Sequence, residues 1–240
     1  MDSRSQKQGS ECIVYDADRI QHPDGFLFDV AYWRERGAVS GEAVGRGSAF
    51  FIEAPFGNVV LRKYLRGGLP GRFIRDHYVF TGWQRSRPVS EFDVLERLHE
   101  AGLPVPRPVA AMVRRHGLVY TGALMTLRID DVSPLADELE ARAGDAPFWR
   151  SVGRCIRRFH DHGVVHADLN ARNILVGGER IYLIDFDRAR IAPGRHSAFR
   201  RNLARLRRSL EKFRPPSKDP ALEGDWKALL GGYAGDDGRA

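Results

Sequence analysis

The sequence predicts an α+β protein with two lobes: an N-terminal antiparallel sheet with one main helix, and a mostly helical C-terminal lobe. Two observations predict this class. β-branched and aromatic runs separated by glycine turns dominate the first half, and apolar residues at helical spacing dominate the second. The change of character near residues 126–133 predicts lobes at 1–128 and 129–240, with a cleft between them.

Composition restricts the class of protein further. A chain of 240 residues, 42% of them hydrophobic, can bury one good core or two small ones, which excludes a disordered protein. No apolar run approaches the roughly 18 residues of a membrane span, and the first residues do not resemble a signal peptide. We therefore expect a cytoplasmic protein. Cys12 and Cys155 fit neither a metal site nor a disulfide framework and are expected to be ordinary thiols.

The charge is unevenly distributed. The net charge is +7, and between Arg188 and Arg214 ten basic residues are opposed by one acid, Glu211. This excess predicts an anionic partner, although nucleic acid, acidic lipid and a phosphorylated substrate would all satisfy it.

The first lobe is expected to contain two pairs of strands and one helix. The runs SAFFIEA and GNVVLRKYL, joined by PFG, predict a hairpin, and PVAAMV and GLVYTGALMTL predict two more strands around the turn RRHG. Phe92, Leu95 and Leu98 share one face of a helix that begins near Pro88 and stops at Gly102. The Gly- and Arg-rich segment 66–88 predicts a long loop that is functional or mobile.

The second lobe is expected to contain three helices and two short strands. A helix in SPLADELEA would be capped by Ser133, and a longer amphipathic helix would end at Gly163. NILV and IYLID predict the strands, 198–213 predicts a cationic helix, and the tail 231–240 is expected to fray.

Oxygen-bearing side chains cluster around those two strands. Asp168 and Asn173 lie five residues apart on a segment that runs from a loop into the first strand, and Asp185 begins the turn after the second. Buried acids are costly unless they are paired or bind a metal. Two carboxylates and an amide are hard oxygen donors that suit Mg²⁺ shared with nucleotide phosphates. Either acid alone could be a capping or turn residue.

The segments RFHDHGVVHADLNARNILV and LIDFDRAR resemble the catalytic and metal-binding loops of the protein-kinase-like fold. They are most similar to the bacterial lipopolysaccharide-core kinases, and among these to kinases of 3-deoxy-D-manno-octulosonic acid (Kdo). The similarity extends through GRGSAFF, LRKYLRGG and GLPVPRPVAA, and it covers roughly residues 40–190.

The resemblance implies roles for the loop residues. Asp168 would be the catalytic base or orienting carboxylate for the attacking hydroxyl, and Asn173 and Asp185 would bind Mg²⁺. His166 would be structural, tying the loop to its neighbours.

The ATP-binding residues are expected in the first lobe. VGRGSAFF looks like a glycine-rich loop in which Gly45 and Gly47 let backbone amides approach phosphates, although a plain turn would also explain it. Alternation along VVLRKY favours Arg62 as the phosphate cation, with Lys63 as the alternative. Glu91 would be its helix partner, and Leu124–Leu127 would be the connection that meets adenine through backbone groups.

Three features depart from the protein-kinase pattern. Asn170 stands where many protein kinases carry Lys, a charge that Arg172 or Arg62 could replace. Asp187 stands in place of the Gly of the Asp-Phe-Gly turn, so activation-loop switching is not expected. Some 50 residues follow Asp187, too few for a lobe that binds a peptide substrate.

The cationic helix bears on the acceptor. Phe199, Leu203, Leu206, Leu210 and Phe213 form an apolar stripe that would pack on the second lobe, leaving arginines in solvent or against anionic lipid. By resemblance, the acceptor is a hydroxyl of Kdo, O-4, on lipid A precursor. The protein would act peripherally on the cytoplasmic face of the bacterial inner membrane.

Alternative functions remain open. One is a kinase of the same fold for heptose, an antibiotic or protein serine, and another is a non-catalytic basic module that binds membrane or nucleic acid. We do not expect nucleic acid as the partner, and no obligate protein partner is inferred.

Overall fold

The computed structural model describes residues 1–43, 49–64, 78–214 and 221–235. The chain forms two compact units. The first comprises Met1–Glu100 and Pro106–Ile129, and the second comprises Ala101–Val105 and Asp130–Ala240. The segment Ala101–Val105 therefore groups with the second unit, although the sequence predicts it in the first lobe.

One antiparallel sheet of eight strands organises the first unit. Its strand order is β1-β2-β7-β8-β5-β4-β3, and β6 pairs with one end of β8. The strands are β1 (Ser3–Gln8), β2 (Glu11–Asp16), β3 (Val39–Glu42), β4 (Ala49–Ala54), β5 (Gly57–Lys63), β6 (Tyr78–Val79), β7 (Pro108–His116) and β8 (Val119–Leu127). The predicted hairpin is β4 and β5, which pair from Ala49 with Arg62 to Ala54 with Gly57.

Several elements near the N-terminus do not follow from the sequence pattern. Strand β1 is exposed and polar on both faces, so it carries no alternation. A 3₁₀ turn, Gly25–Phe28, and helix α1, Val30–Glu35, are too short for a periodic pattern. Both begin at an Asp, because the carboxylates of Asp24 and Asp29 accept backbone N–H groups at 3.1 and 3.0 Å.

The two faces of the sheet carry different elements. Val59 and Leu61 of β5 are fully buried in a core with Phe28 and Trp33, which places the N-terminal segment on their face. The opposite face carries Arg62, which contacts helix α2 (Arg87–Glu100). The predicted apolar stripe of α2, Phe92, Leu95 and Leu98, is buried, and Gly102 has a φ of 69° just beyond its end.

The sequence predicts Leu124–Leu127 as a connection, but in the structure these residues are the last part of β8. This strand lies between β5 and β7, and Met125 is fully buried. The N–H of Leu127 donates to the Arg107 carbonyl at 2.8 Å, so this backbone donor is hydrogen-bonded within the first unit.

The second unit combines helices with short strand pairs. Strand β11 pairs with both β9 and β12, and β10 pairs with β13. The elements are β9 (Ser133–Pro134), α3 (Leu135–Glu138), α4 (Ala146–Asp161), β10 (Val164–Val165), β11 (Ile174–Gly177), β12 (Arg180–Leu183), β13 (Arg190–Ile191), α5 (His196–Phe213) and α6 (Ala221–Ala234).

The predicted Ser133 cap is wrong. Ser133 is part of β9, where it pairs with Val176, and its hydroxyl donates to the Glu138 carboxylate at 2.5 Å. The backbone of Ser133 is thus in a strand, and its side chain does not cap α3. Helix α4 does begin at a capping residue, because the Asp145 carboxylate accepts the N–H of Phe148 at 3.1 Å.

The expected frayed tail is also wrong over residues 231–234, which are helical in α6. This helix packs closely on α4 through two glycines. A Cβ at Gly153 would lie 2.0 Å from the Leu229 carbonyl oxygen, and one at Gly232 would lie 2.1 Å from that of Arg150. Across the ranges that the structure describes, no helix combines the length and apolarity of a membrane span.

Helix α5 buries most of its predicted stripe. Phe199, Leu206 and Leu210 are buried, and Leu203 and Phe213 are half-buried. At its end Arg214 forms an ion pair with Asp225 of α6 at 2.9 Å, and both side chains are almost completely buried. The stripe therefore packs on its own unit.

Both cysteines are buried free thiols. Burial raises the pKa of Cys155 to about 12. This thiol donates to the Ile181 carbonyl at 3.7 Å and is inert at neutral pH.

Candidate active site

His166 organises the loop that carries Asp168. Its Nδ1 accepts the backbone N–H of Asp168 at 3.1 Å, so Nε2 carries the proton and donates to the Ile184 carbonyl at 3.0 Å. Burial lowers the pKa of this imidazole, which agrees with the neutral tautomer. His166 thus connects the loop to Ile184, the residue that precedes Asp185. These two hydrogen bonds give it a structural role.

The loop is also fastened to helix α5. The side chain of Asn202 accepts the N–H of His166 at 3.1 Å and donates to its carbonyl at 2.6 Å. Seven residues later, the Ser209 hydroxyl accepts the N–H of Ala171 at 3.1 Å. These bonds fix the position of α5 relative to the loop.

The carboxylate of Asp168 is half exposed and has one charged neighbour. Arg205 of α5 donates to its Oδ1 at 2.8 Å. Oδ2 receives no hydrogen bond from a described residue, so it can accept a proton from a bound hydroxyl.

Asn173 and Asp185 lie at the same end of the β11–β12 hairpin. Ile174 pairs with Leu183, and one residue further the N–H of Ile184 donates to the Asn173 carbonyl at 3.0 Å. Asp185 follows with a φ of 63°, a left-handed conformation that turns the chain out of the strand. The negative charges of Asp185 and Asp168 both offset part of the effect of burial on the pKa of His166, so both carboxylates lie near this ring.

The donor set fits Mg²⁺. The side-chain amide of Asn173 donates through Nδ2 to the Asp168 carbonyl at 2.9 Å, and this orientation leaves Oδ1 as an acceptor for a cation. Together with the Asp185 carboxylate, it supplies hard oxygen ligands of the type that Mg²⁺ takes while sharing its other positions with phosphates and water.

The departures from the protein-kinase pattern have local explanations. Asn170 shapes the loop, since its side chain accepts the N–H of Arg172 at 2.9 Å and donates to the Asp168 carbonyl at 3.0 Å. Arg172 lies over the Phe213 ring, so it does not replace the missing lysine beside Asp168. The turn after β12 places Asp185 and Arg188, but not Asp187, at positive φ, so it does not need glycine at 187.

The first unit contains a second charged cluster. Arg62 and Tyr64 both donate to the carboxylate of Glu91, which is buried in α2. Arg62 also donates to the Tyr64 hydroxyl at 3.1 Å. Lys63 is on the opposite face of β5 and has no ion pair with a described residue. The structure therefore brings Arg62, rather than Lys63, to Glu91.

Two of the predicted site residues lie outside the described residues. These are Gly45 and Gly47, and residues 65–77 of the predicted long loop are also outside them.

Sequence reasoning missed three residues of these clusters. Arg205 looked like one of many surface arginines, Asn202 like a polar residue on a helix, and Tyr64 like a strand aromatic. The available signal for Arg205 was its spacing of four and three residues from Arg201 and Arg208, which places three arginines on one helix face.

Comparison with known proteins identifies the family. The model of the lipopolysaccharide kinase (Kdo/WaaP) family matches residues 30–233. A 3-deoxy-D-manno-octulosonic acid kinase of Stenotrophomonas maltophilia (strain R551-3) is 43% identical over 94% of this chain and 90% of its own length. A kinase of the same name from Vibrio vulnificus (strain YJ016) is 39% identical over 95% and 97%.

The fold is similar to a solved structure of WaaP in complex with acyl carrier protein. The TM-score is 0.53 at 17% sequence identity, and the match covers 84% of this chain and 81% of that one. This likeness supports the kinase-like α+β fold. The family match over most of the chain and the relatives at about 40% identity show that the protein belongs to the lipopolysaccharide kinase (Kdo/WaaP) family, whose members are phosphotransferases that act on an alcohol group.

Proposed function

We propose that this protein transfers the γ-phosphate of ATP to a hydroxyl of Kdo, O-4, on lipid A precursor. The names of its relatives support the sugar as acceptor. The observation that most supports phosphoryl transfer is the pair of hydrogen bonds through which His166 holds Asp168 near Ile184 and Asp185.

In this proposal Asp168 orients the sugar hydroxyl and accepts its proton through Oδ2. The new bond joins the sugar oxygen to the γ-phosphorus, and the bond from that phosphorus to the β-phosphate oxygen breaks to release ADP. Phosphoryl transfer depends mostly on positioning and charge neutralisation. A loop fastened at Asn202 and Ser209 supplies the positioning.

Asn173 and Asp185 would hold Mg²⁺, which when bound would neutralise charge on the phosphates. Arg62 would supply a fixed positive charge to the same phosphates, and Glu91 and Tyr64 would keep its guanidinium in place. Gly45 and Gly47 remain the proposed backbone cradle of the phosphates.

The acceptor is carried on a lipid, and the exposed arginines of α5 support a peripheral attachment to anionic membrane. Arg200, Arg201 and Arg208 are exposed while the apolar stripe of the same helix is packed inward. We therefore propose that electrostatic attraction brings the protein to the cytoplasmic face of the inner membrane. Sedimentation with vesicles that contain or lack an anionic lipid tests this point separately from catalysis.

The test of function is a transfer assay with several acceptors. Purified protein is incubated with γ-labelled ATP, Mg²⁺ and either Kdo-bearing lipid A precursor, a heptose-bearing lipid, or a protein rich in serine. We expect label in the first lipid alone, at O-4 when the product is analysed by NMR. Transfer only to another acceptor would refute the assignment, and no ATP-dependent transfer to any of them would favour the non-catalytic module.

A further inference from the structure

A cavity of about 260 Å³ lies directly beside Asp168 in the second unit. It is lined by the loop residues Val165, His166 and Ala167, and by one face of α5 that carries Arg201, Arg205 and Arg208. No acid is among its described lining residues. The cavity is therefore a positively charged recess next to the proposed catalytic carboxylate.

Two of the three arginines have no other role in the fold. Arg201 and Arg208 are exposed, and neither side chain forms an ion pair or hydrogen bond with a described residue. Among the described residues, Asp168 is the one ion-pair partner of the Arg205 side chain. Like charges three and four residues apart on a helix repel each other, so the arrangement is unfavourable unless an anion joins it.

The recess is held in a fixed position. Asn202 and Ser209, which bond to the catalytic loop, directly follow Arg201 and Arg208 along α5. The distance between the guanidinium groups and Asp168 is thus set by the packing of the helix. Because Arg205 lines the recess and donates to Asp168 at 2.8 Å, an anion bound to Arg205 would lie close to a hydroxyl that contacts Asp168.

We propose that Arg201, Arg205 and Arg208 form an anion subsite that binds the carboxylate of the acceptor sugar acid. This inference rests on the proposed function, because a 3-deoxy-octulosonic acid carries an ionised carboxylate at neutral pH. Guanidinium groups bind carboxylates through paired, charge-assisted hydrogen bonds. The subsite would select acidic sugars over neutral ones and place the hydroxyl at Asp168.

The test compares charge-matched variants on modified acceptors. Arg201→Ala and Arg208→Ala remove lining residues, and Lys212→Ala removes the same charge from an exposed position on α5 outside the recess. With Kdo-lipid we expect the first two variants to raise the acceptor KM about 10-fold with little change in kcat. Lys212→Ala should change it less than about 2-fold. Thermal unfolding verifies that all three variants are folded.

Modified acceptors identify the bound group. An acceptor whose sugar carboxylate is converted to an amide should raise the KM of the unchanged protein about as much as Arg201→Ala does, and the variant should then add nothing further. A second acceptor lacks the phosphates of the lipid. If the effect of Arg201→Ala disappears with that acceptor instead, the anion is a lipid phosphate and the proposal is wrong.

Failure of the subsite and failure of the function give different results. If the unchanged protein phosphorylates Kdo-lipid but Arg201→Ala and Arg208→Ala behave like Lys212→Ala, the subsite is refuted and the function stands. If it phosphorylates no Kdo-bearing acceptor, both proposals are refuted.

Discussion

Glu91 of helix α2 forms an ion pair with Arg62 of strand β5, in which the Glu91 side chain is 2% exposed and that of Arg62 is 24% exposed. Glu91→Gln would leave Arg62 and Tyr64 without their common anion. We expect a loss of about 2 kcal/mol in the free energy of unfolding and a KM for ATP raised several-fold. Urea unfolding and steady-state kinetics measure both quantities.

The matched control for this change is Glu96→Gln. Glu96 is a half-buried acid of the same helix that makes no ion pair with a described residue. Its replacement should alter stability by less than about 0.5 kcal/mol. Equal losses in the two variants would show that the Arg62 pair is not what stabilises this helix.

Asp168→Asn should separate activity from stability. The carboxylate is 54% exposed and contacts one charged residue, so the melting temperature should change little. Turnover should fall by about 10²- to 10⁴-fold, because the amide cannot accept the hydroxyl proton. Unchanged turnover in a folded variant would contradict the proposed role of Asp168.

The ion pair between Arg214 and Asp225 should be important for folding. Both side chains are buried, and the Asp225 carboxylate also accepts the N–H of Gly144 at 3.0 Å. Asp225→Asn is expected to cost about 3 kcal/mol in chemical denaturation, since it removes the negative charge from a buried ion pair. Glu223→Gln, at an acid that is 77% exposed, should cost less than about 1 kcal/mol.

Two glycine substitutions should change stability in opposite directions. Gly153→Ala would place a methyl group 2.0 Å from the Leu229 carbonyl oxygen, so α4 and α6 must separate, at a cost of about 2 kcal/mol or more. Gly224→Ala lies in α6 with open space around its Cβ and should stabilise the protein by about 0.5 to 1 kcal/mol. Thermal melts of both variants test the close packing of these helices.

His160 should make stability depend on pH. Burial lowers its pKa to about 4, although a hydrogen bond with Asn202 and the charge of Asp161 offset part of the effect. The unfolded chain, with a pKa near 6.5, therefore binds a proton that the folded state excludes. The stabilisation is complete above pH 6.5 and is lost as pH falls towards 4, by about 1 kcal/mol for each pH unit.

The check is denaturation of His160→Phe between pH 7 and pH 5. Phenylalanine keeps the stacking on Phe199, whose ring centroid lies 4.4 Å from that of His160, but it cannot be protonated. The variant should lose less stability on acidification than the unchanged protein. His162→Gln, at an exposed residue that ends the same helix, should retain the original slope.

The parts of the fold predicted well are those whose pattern is periodic. Alternation along β5 places Arg62 and Val60 opposite Leu61, and spacing along α2 buries Phe92 and Leu95, as the structure shows. The predicted metal ligands also lie at one end of a hairpin. The identity of Asp168 as catalyst and of Asn173 and Asp185 as metal ligands stays a prediction.

Other features depend on contacts that a single sequence does not display. Serine is a residue type that often caps helices, but Ser133 pairs with Val176 of β11 and is therefore part of a strand. Arg205 contacts Asp168 only because Asn202 fixes α5 on the loop, a relation between segments some 36 residues apart. Residues 231–234 are rich in glycine, but they are helical because they pack closely on α4.

The contact of Gly153 with Leu229 has a consequence for biosynthesis. The first unit is almost complete once residue 129 has been made, so it can fold while the chain is still growing. Helix α4 is made soon afterwards, but among the described residues it is α6 that covers the surface around Gly153. A nascent chain that stops before residue 221 would therefore leave that surface bare, and we expect the second unit to complete its folding only once α6 has been made.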